Sequence, residues 1–275
     1  MQWCLVILIA CIGGLSLSSV ALAPNIGISV EQPSTQRLGK QLQHKAKSIT
    51  VKVLSRGFLG SGILIHTKGS VYTVLTNAHV LKSGSPPYQI QTPDNQVYVA
   101  NVPKVVETLY ATSLQDNDLA VLQFRSPKTS YAVASLGSAS TLNVGNEVFA
   151  AGFPFDFDRD RDKGFVFRTG KISLILEKAL EGGYQIGYTN DLQKGMSGGP
   201  LLNRFGDVVA INGMHAEPLW GNPYVYQDGT EPEPPLRQQM SRYSWGIPIE
   251  TFVQLVSPLF TGTDSDITIG AEVKQ

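Results

Sequence analysis

The sequence has almost no cysteine. Its only two, Cys4 and Cys11, lie within the first 23 residues, so the rest of the chain has no thiol that could form a disulfide, act as a nucleophile or bind zinc. This excludes a disulfide-stabilised domain, a cysteine peptidase and a thiolate zinc site. Residues 24–275 must therefore be stabilised by a hydrophobic core, and they are numerous enough to form a large one.

An excess of charge of either sign is also absent. The 22 basic residues balance the 22 acidic ones, and no long run of Lys and Arg is present to neutralise a phosphate backbone, so we expect no nucleic-acid partner. Hydrophobic residues make up 42% of the chain and charged residues 16%, which excludes a disordered protein. The 27 glycines and 16 prolines are scattered without a repeat, which favours short strands and turns over long helices.

The first 23 residues contain no charged side chain. They include an apolar run at residues 5–10 and end in Ala21-Leu22-Ala23, a small-x-small ending typical of a secretory signal; Ser19-Val20-Ala21 is a competing cleavage site. We therefore expect a signal peptide, export to the periplasm or the cell exterior, and no stable membrane association after cleavage. The alternatives are an uncleaved membrane anchor or a lipoprotein attached through Cys11.

Short β-branched segments separated by turn residues dominate the chain from residue 49 onward. They form one group before a break at residues 124–130 and a second group after it. The segments are 49–53, 62–65, 71–75 and 97–100, followed by 147–151, 164–167, 171–176, 184–188, 207–211 and 243–247. Apolar residues then recur at three- and four-residue spacing to residue 256, which predicts a short C-terminal helix.

This pattern predicts the following organisation of the chain. Residues 1–23 are a signal peptide, 24–47 an N-terminal arm without a sustained hydrophobic period, 48–130 a first all-β half, 131–258 a second half with the terminal helix, and 259–275 a tail. Within the second half, residues 218–242 are rich in proline and tyrosine, and their length predicts a surface loop.

Three motifs combine into one chemical hypothesis. Ser197 is enclosed by glycines in Gly195-Met196-Ser197-Gly198-Gly199-Pro200, and glycine permits the positive φ that turns several amides toward a common point. His79 ends an apolar strand, and Asp118 directly precedes another. Singly, these motifs also fit a β-turn, a core histidine and a turn aspartate. Their order of His, Asp and Ser is that of a chymotrypsin-like catalytic triad.

These motifs, together with Gly60-Ser61-Gly62, resemble those of the trypsin-like serine peptidases. The resemblance extends over about residues 48–258 and is greatest to disulfide-free bacterial members related to HtrA/Deg protease domains and to glutamyl endopeptidases. It implies an all-β fold of two six-stranded antiparallel β-barrels, with the active site between them and a short C-terminal helix. It also implies a secreted serine endopeptidase that acts on polypeptides without a cofactor or metal.

The resemblance also implies a role for each residue. Ser197 would be the nucleophile and His79 the general base, and the N–H groups of Gly195 and Ser197 would form the oxyanion hole. Asp118 would orient the histidine; Asp116 is the rival, but the family's acid abuts the strand as Asp118 does. The alternative is a catalytically inactive β-domain that binds other proteins.

Cleavage specificity depends on a further aspartate. Asp191 lies six residues before Ser197, where trypsin-like members carry a carboxylate at the bottom of the substrate pocket, which implies cleavage after Arg or Lys. Gly213, Met214 and His215 would line the same pocket. The alternatives are a turn aspartate at 191 and a preference for Glu, which a pocket histidine such as His215 would bind.

Four aspartates alternate along one loop, at positions 156, 158, 160 and 162. The loop lacks the glycine and the glutamate that a calcium loop requires. Arg159, Arg161 and Lys163 lie between the acids, so we expect a solvated loop and no metal site.

Overall fold

The computed structural model describes residues 33–56, 58–104, 115–156, 161–215 and 223–260. The predicted signal peptide with Cys4 and Cys11 lies outside these ranges, as do Asp158 and Asp160. Within them, no helix has both the length and the apolar character needed to cross a bilayer. The described chain folds into two closed β-barrels and a separate two-stranded sheet.

The first barrel contains six antiparallel strands. Their bounds are β1 Thr50–Ser55, β2 Phe58–Lys68, β3 Val71–Asn77, β4 Tyr88–Gln91, β5 Val97–Asn101 and β6 Leu119–Arg125. Around the barrel they pair in the order β1-β2-β3-β6-β5-β4. The short strand β4 has no counterpart among the segments predicted from the sequence.

The second barrel is built in the same way from the later strands. The bounds are β7 Glu147–Gly152, β8 Phe155–Asp156, β9 Arg161–Asp162, β10 Val166–Ile175, β11 Ile186–Tyr188, β12 Pro200–Leu202, β13 Val208–Met214 and β14 Ser244–Pro248. The barrel order is β10-β11-β14-β13-β12-β7, and β8 pairs only with β9. The predicted segments 164–167 and 171–176 are parts of the one strand β10.

Four α-helices accompany the strands in the ranges that the structure describes. They are α1 Pro33–Ile49, α2 Ala78–Lys82, α3 Pro234–Met240 and α4 Ile249–Phe260. Helix α4 follows directly from β14 and buries Ile249 and Phe252, which recur at the spacing of one helix face. The prediction of two six-stranded antiparallel β-barrels with a C-terminal helix is confirmed.

The hydrophobic core joins the two barrels. Inside the first barrel, Val51 and Val53 are buried while Lys52 between them is only partly buried, as the alternation of a strand requires. A separate cluster connects Ile63 of the first barrel with Ile211 of the second. Because apolar side chains are shared across this junction, the position of one barrel relative to the other is set by close packing.

The N-terminal arm differs from its prediction, because residues 33–49 form the 17-residue helix α1. Leu42, Ala46 and Ile49 lie one and two turns apart on one face and are buried in the shared cluster. This stripe of three apolar residues is short, and polar residues surround it. It is the contact with the barrels, rather than a long hydrophobic period, that stabilises the helix.

The predicted surface loop 218–242 also differs where the structure describes it. Tyr224 and Met240 are buried, and the indole N–H of Trp245 donates to the Met240 carbonyl at 3.2 Å. The segment ends in helix α3. Tyr224 and Met240 thus belong to the buried core, whereas residues 227–231 are exposed.

The aspartate-rich loop is described only at its two ends. Asp156 lies in β8, and Asp162 in β9 pairs with Lys52 of the first barrel. Within the described ranges, no group of three or more His, Cys, Asp or Glu residues could hold a metal ion.

Helix α1 provides a test of this packing. We expect Leu42→Ala to lower the free energy of unfolding by about 3 kcal/mol, since it removes a buried side chain from the shared cluster. Leu38→Ala on the same helix is the matched control, because Leu38 is 46% exposed, and it should change stability by less than ~0.5 kcal/mol. Urea unfolding measures both. Equal effects would contradict the packing of α1 on the barrels.

Candidate active site

His79 lies at the end of a strand, next to the junction between the barrels. Strand β3 ends at Asn77, and the short helix α2 begins at Ala78. The Ala78 N–H and the Asn77 side-chain amide both donate to the Asp118 carbonyl, each at 3.0 Å. Asn77 is completely buried, so these bonds hold the start of α2, and with it His79, against the loop that carries Asp118.

Asp118 contacts the histidine through both carboxylate oxygens. The His79 backbone N–H donates to Oδ1 at 2.8 Å, and ring Nδ1 lies 2.7 Å from Oδ2. Asp118 has a positive φ of 42°, a conformation that aspartate tolerates better than most residues. It lies between the 3-10 turn Gln115–Asn117 and β6, and the turn directs its side chain to His79. Because Nδ1 faces a carboxylate, Nε2 is the ring nitrogen that can accept a proton.

The rival acid, Asp116, has a different environment. It lies in the same turn and is exposed, whereas the carboxylate beside the His79 ring is that of Asp118. Of the two predicted acids, the structure brings Asp118 to the histidine and leaves Asp116 in solvent.

Ser197 lies in a loop that needs its flanking glycines. Gly195 and Gly198 have φ values of 94° and 83°, and a Cβ on Gly198 would collide with the Ser61 carbonyl and the Thr76 hydroxyl. Glycine is needed in this loop both for the positive φ and for the close approach of neighbouring atoms. The Ser197 hydroxyl donates to the Gly213 carbonyl at 3.1 Å.

The backbone amides of this loop differ in their bonding. The N–H groups of Met196, Gly198 and Gly199 donate to carbonyls at 2.8–3.1 Å. No backbone or side-chain acceptor in the described chain is recorded for the N–H groups of Gly195 and Ser197. These are the two amides predicted to form the oxyanion hole, and both remain free to bind a substrate oxygen.

Ser61 connects the first barrel to this loop and was not predicted as a site residue. Its hydroxyl donates to the Gly195 carbonyl at 2.8 Å and accepts from the Phe153 N–H at 2.9 Å. Its backbone N–H donates to the Ser197 carbonyl, also at 2.8 Å. Ser61 thus fixes the Gly195–Met196 and Ser197–Gly198 peptides, which lie on either side of the peptide that carries the Ser197 N–H. The only sequence signal for this role is the position of Ser61 between two glycines in a strand.

Two further buried residues stabilise the site from the second barrel. The Tyr184 hydroxyl donates to Asp118 Oδ2. Burial, with the charge of Asp118 as a smaller cause, raises the pKa of Tyr184 well above its ordinary value. Asn212 is completely buried, and its side chain donates to the carbonyls of Ala151 and Pro200. No motif in the sequence marks either residue.

The predicted placement of Asp191 at the buried bottom of a pocket is wrong. Asn190 and Leu192 are buried, and Asp191 between them is exposed. Its carboxylate accepts a 3.3 Å hydrogen bond from the Gln193 side chain. The buried bonds of Asn190 to the carbonyls of Val148 and Arg168 turn its side chain inward, so the next residue faces solvent.

The other predicted pocket residues lie at the end of β13. Gly213 and Met214 are the last two residues of the strand, and His215 follows it. Met214 is buried and His215 is half-buried. At Gly213 an added Cβ would overlap the Tyr184 ring, with Cε1 at 2.5 Å. Because residue 213 is a glycine, the strand can lie close to both Tyr184 and Ser197.

Comparison with known proteins gives consistent matches. A family model described as a trypsin-like peptidase domain matches residues 60–211. The "Putative serine protease HhoA" of Synechocystis is 31% identical over 156 residues, which are 56% of this chain and 36% of the relative. The "Probable periplasmic serine endoprotease DegP-like" of Marinomonas is 35% identical over 157 residues, with 57% and 30% covered. The "Periplasmic pH-dependent serine endoprotease DegQ" of Escherichia coli is 32% identical over 155 residues, with 56% and 30% covered.

The matched region spans about a third of the length of these relatives. Among solved structures, the serine endoprotease from Yersinia pestis is similar, with a TM-score of 0.56 and 21% sequence identity. This match covers 82% of this chain and 67% of that one. At this identity the likeness concerns the fold.

The contacts of Ser61 lead to a prediction about Ser197. We expect Ser61→Ala to slow labelling of Ser197 by a fluorophosphonate probe by roughly tenfold, because the Gly195 peptide loses the donor that orients it. Ser126→Ala is the matched control: Ser126 is also a buried first-barrel serine, but its hydroxyl donates to the Thr129 carbonyl and lies 3.2 Å from the Tyr98 hydroxyl. Labelling rates at one probe concentration make the comparison. Equal rates for both variants would show that Ser61 does not orient the loop.

Proposed function

Because the chain belongs to the trypsin-like peptidase family, we propose that it is an exported serine endopeptidase of the HtrA/Deg type that hydrolyses polypeptides. The observation that carries the proposal is the double contact of His79 with the Asp118 carboxylate, at 2.7 and 2.8 Å, at the barrel junction. The two free amides at Gly195 and Ser197 support it, because a binding domain has no need of them.

Ser197 is the nucleophile of the proposed reaction. Its Oγ attacks the scissile carbonyl carbon, and its proton passes to Nε2 of neutral His79. The carbonyl oxygen takes up the negative charge and is held by the N–H groups of Gly195 and Ser197. His79 then donates the proton to the departing amine, which leaves an acyl-enzyme. A water molecule, deprotonated by the same histidine, hydrolyses the ester and restores Ser197.

Asp118 orients the histidine through this sequence. Its two contacts fix the ring so that Nδ1 carries the proton and Nε2 faces the reaction. When His79 becomes an imidazolium, the carboxylate stabilises the positive charge. The side chains of His79 and Asp118 are 26% and 16% exposed, so the pair is only partly screened by water.

The Ser197 hydroxyl must change its partner before it can react. It has a single proton, which it donates to the Gly213 carbonyl in the resting protein. Rotation about the Cα–Cβ bond transfers the hydroxyl from that carbonyl to the imidazole. Hydrogen bonds of this kind often tighten only when substrate is bound.

The two neighbouring aspartates provide a matched test of the triad. Ser197→Ala and His79→Ala should abolish peptidase activity in a folded protein, and Asp118→Asn should lower turnover by about 10⁴-fold, the loss known for this change in the family. Asp116→Asn changes an exposed acid two residues away and should leave turnover within about twofold. A larger loss from Asp116→Asn than from Asp118→Asn would refute the assignment.

An inactive binding domain is the alternative outcome of the same measurements. The wild-type protein should react with a fluorophosphonate, and Ser197→Ala should not, since only an activated serine is labelled. A wild-type protein that is neither labelled nor active on any polypeptide would reject the proposed peptidase function.

The residue recognised before the scissile bond is the finer part of the proposal. Cleavage after Arg or Lys depended on a buried Asp191, which is exposed instead. Among the described residues, no charged side chain is buried, and Asp191 and Lys194 beside the nucleophile loop both face solvent. A charged substrate side chain would therefore be desolvated without a buried counter-ion. We propose that an uncharged residue is preferred.

A substrate library tests this preference. We expect kcat/KM to be at least about tenfold higher for aliphatic or aromatic residues before the cut than for Arg or Lys. Asp191→Ser should change cleavage after Arg by less than about threefold, since the carboxylate is in water. The alternative preference for Glu through half-buried His215 predicts instead that His215→Asn selectively lowers cleavage after Glu. Steep discrimination for Arg that Asp191→Ser removes would overturn the proposal.

Export and chain organisation complete the proposal. The DegP-like and DegQ relatives are named as periplasmic, which supports export of this chain. We propose that residues 1–23 are a signal peptide, followed by an arm to residue 47, a first domain over 48–130, a second over 131–258 and a tail over 259–275. Its partners would be polypeptide substrates, with neither nucleic acid nor a membrane as a stable partner.

A further inference from the structure

Tyr184 reaches the Asp118 carboxylate from the opposite barrel. It follows the 3-10 turn Glu181–Gly183 of the second barrel, whereas His79 and Asp118 belong to the first. Only 7% of Tyr184 is exposed, and its hydroxyl donates to Asp118 Oδ2. In the described chain the carboxylate accepts three hydrogen bonds, two of them from His79. Tyr184 is thus its only support that does not come from the histidine itself.

Glycines on both sides make room for this contact. Gly182 and Gly183 have φ values of 80° and 83°. An added Cβ on Gly182 would lie 2.8 Å from the Tyr184 ring and 3.3 Å from Asp118 Cβ, and one on Gly183 would lie 2.9 Å from the Asn117 side chain. Larger residues would separate the turn from the aspartate loop.

Tyr184 also lies against strand β13, which binds the Ser197 hydroxyl through Gly213. Its ring and hydroxyl occupy the space that a side chain at Gly213 would need, and the Gly213 carbonyl accepts the Ser197 hydroxyl. The Tyr184 hydroxyl therefore lies between the acid and the peptide that holds the nucleophile. Only a residue without a side chain at 213 is compatible with that position.

We propose that Tyr184 is a positioning residue of the catalytic triad, whose hydroxyl holds Oδ2 of Asp118 so that the carboxylate stays aligned with the His79 ring. This role rests on the proposed function. Since the hydroxyl comes from the second barrel, the correct docking of the two barrels becomes a condition for full activity.

The Tyr184 hydroxyl stays protonated and can therefore always donate its hydrogen bond to Asp118. Burial and the nearby Asp118 charge raise its pKa well above the ordinary value, so the phenol keeps its proton while the protein is folded and active. Tyr188 of β11 is the other titratable group that acts on Tyr184, and burial raises the pKa of Tyr188 as well. Asp116, next to the aspartate loop, is exposed. The titratable side chains at this contact are therefore His79, Asp118 and the two tyrosines.

A pair of tyrosine variants tests the proposal. Tyr184→Phe removes only the hydroxyl, and kcat should fall about tenfold with KM within about twofold, because alignment matters in the transition state. The acid limb of the kcat/KM profile should move up by about half a pH unit, since the carboxylate keeps more charge for the imidazolium. Tyr72→Phe is the matched control: it also removes a buried hydroxyl, one that accepts from the Tyr131 N–H inside the first barrel. It should lower the melting temperature similarly but leave the profile in place.

Proton NMR separates this proposal from the proposed function. The downfield resonance of the His79 Nδ1 proton should shift in Tyr184→Phe and stay unchanged in Tyr72→Phe, whether or not the protein cleaves peptides. If Tyr184→Phe does not fold, Gly213→Ala displaces the hydroxyl and should move the same resonance. A Tyr184→Phe protein that matches Tyr72→Phe in resonance and pH profile overturns the positioning role. A wild-type protein without activity overturns the peptidase instead.

Discussion

The close approach of Ser61 to the loop that carries Ser197 is the contact on which the site depends. The Ser61 N–H bonds the Ser197 carbonyl at 2.8 Å, and its hydroxyl bonds the Gly195 carbonyl at the same distance. These bonds fix the peptides on either side of the Met196–Ser197 peptide, and within the described chain the N–H groups of Gly195 and Ser197 have no acceptor. The proposed oxyanion hole would be preorganised, because the protein rather than the substrate holds the peptides in place.

The two barrels share the parts of the site between them. His79 and Asp118 come from the first barrel, whereas Ser197 and the strand with Gly213 come from the second. Because the site is divided in this way, the two barrels must keep a fixed relative position. The apolar cluster that connects Ile63 with Ile211 fixes it. Buried polar contacts then fix how the two barrels are aligned, because it would be costly to leave Ser61 or Asn77 without hydrogen-bond partners.

Part of this arrangement could be predicted from the sequence, for local reasons. Short β-branched segments separated by turn residues indicate strands, so the all-β halves were visible without any knowledge of contacts. Glycines around Ser197 indicated positive φ, which Gly195 and Gly198 adopt. Helix α1 was missed because only three of its side chains, Leu42, Ala46 and Ile49, face the core, and no sequence period reports a contact with a distant surface.

By itself, the sequence determined the class of fold, the order of the histidine, aspartate and serine, and the glycines that let the nucleophile loop form. These features depend on local conformational preference and hydrophobic alternation. The tertiary structure alone decided which aspartate meets His79, that Asp191 faces water, and that Tyr184 crosses from the other barrel to Asp118. Each of these depends on the direction of a side chain at the junction, which is set by packing between segments far apart in the chain.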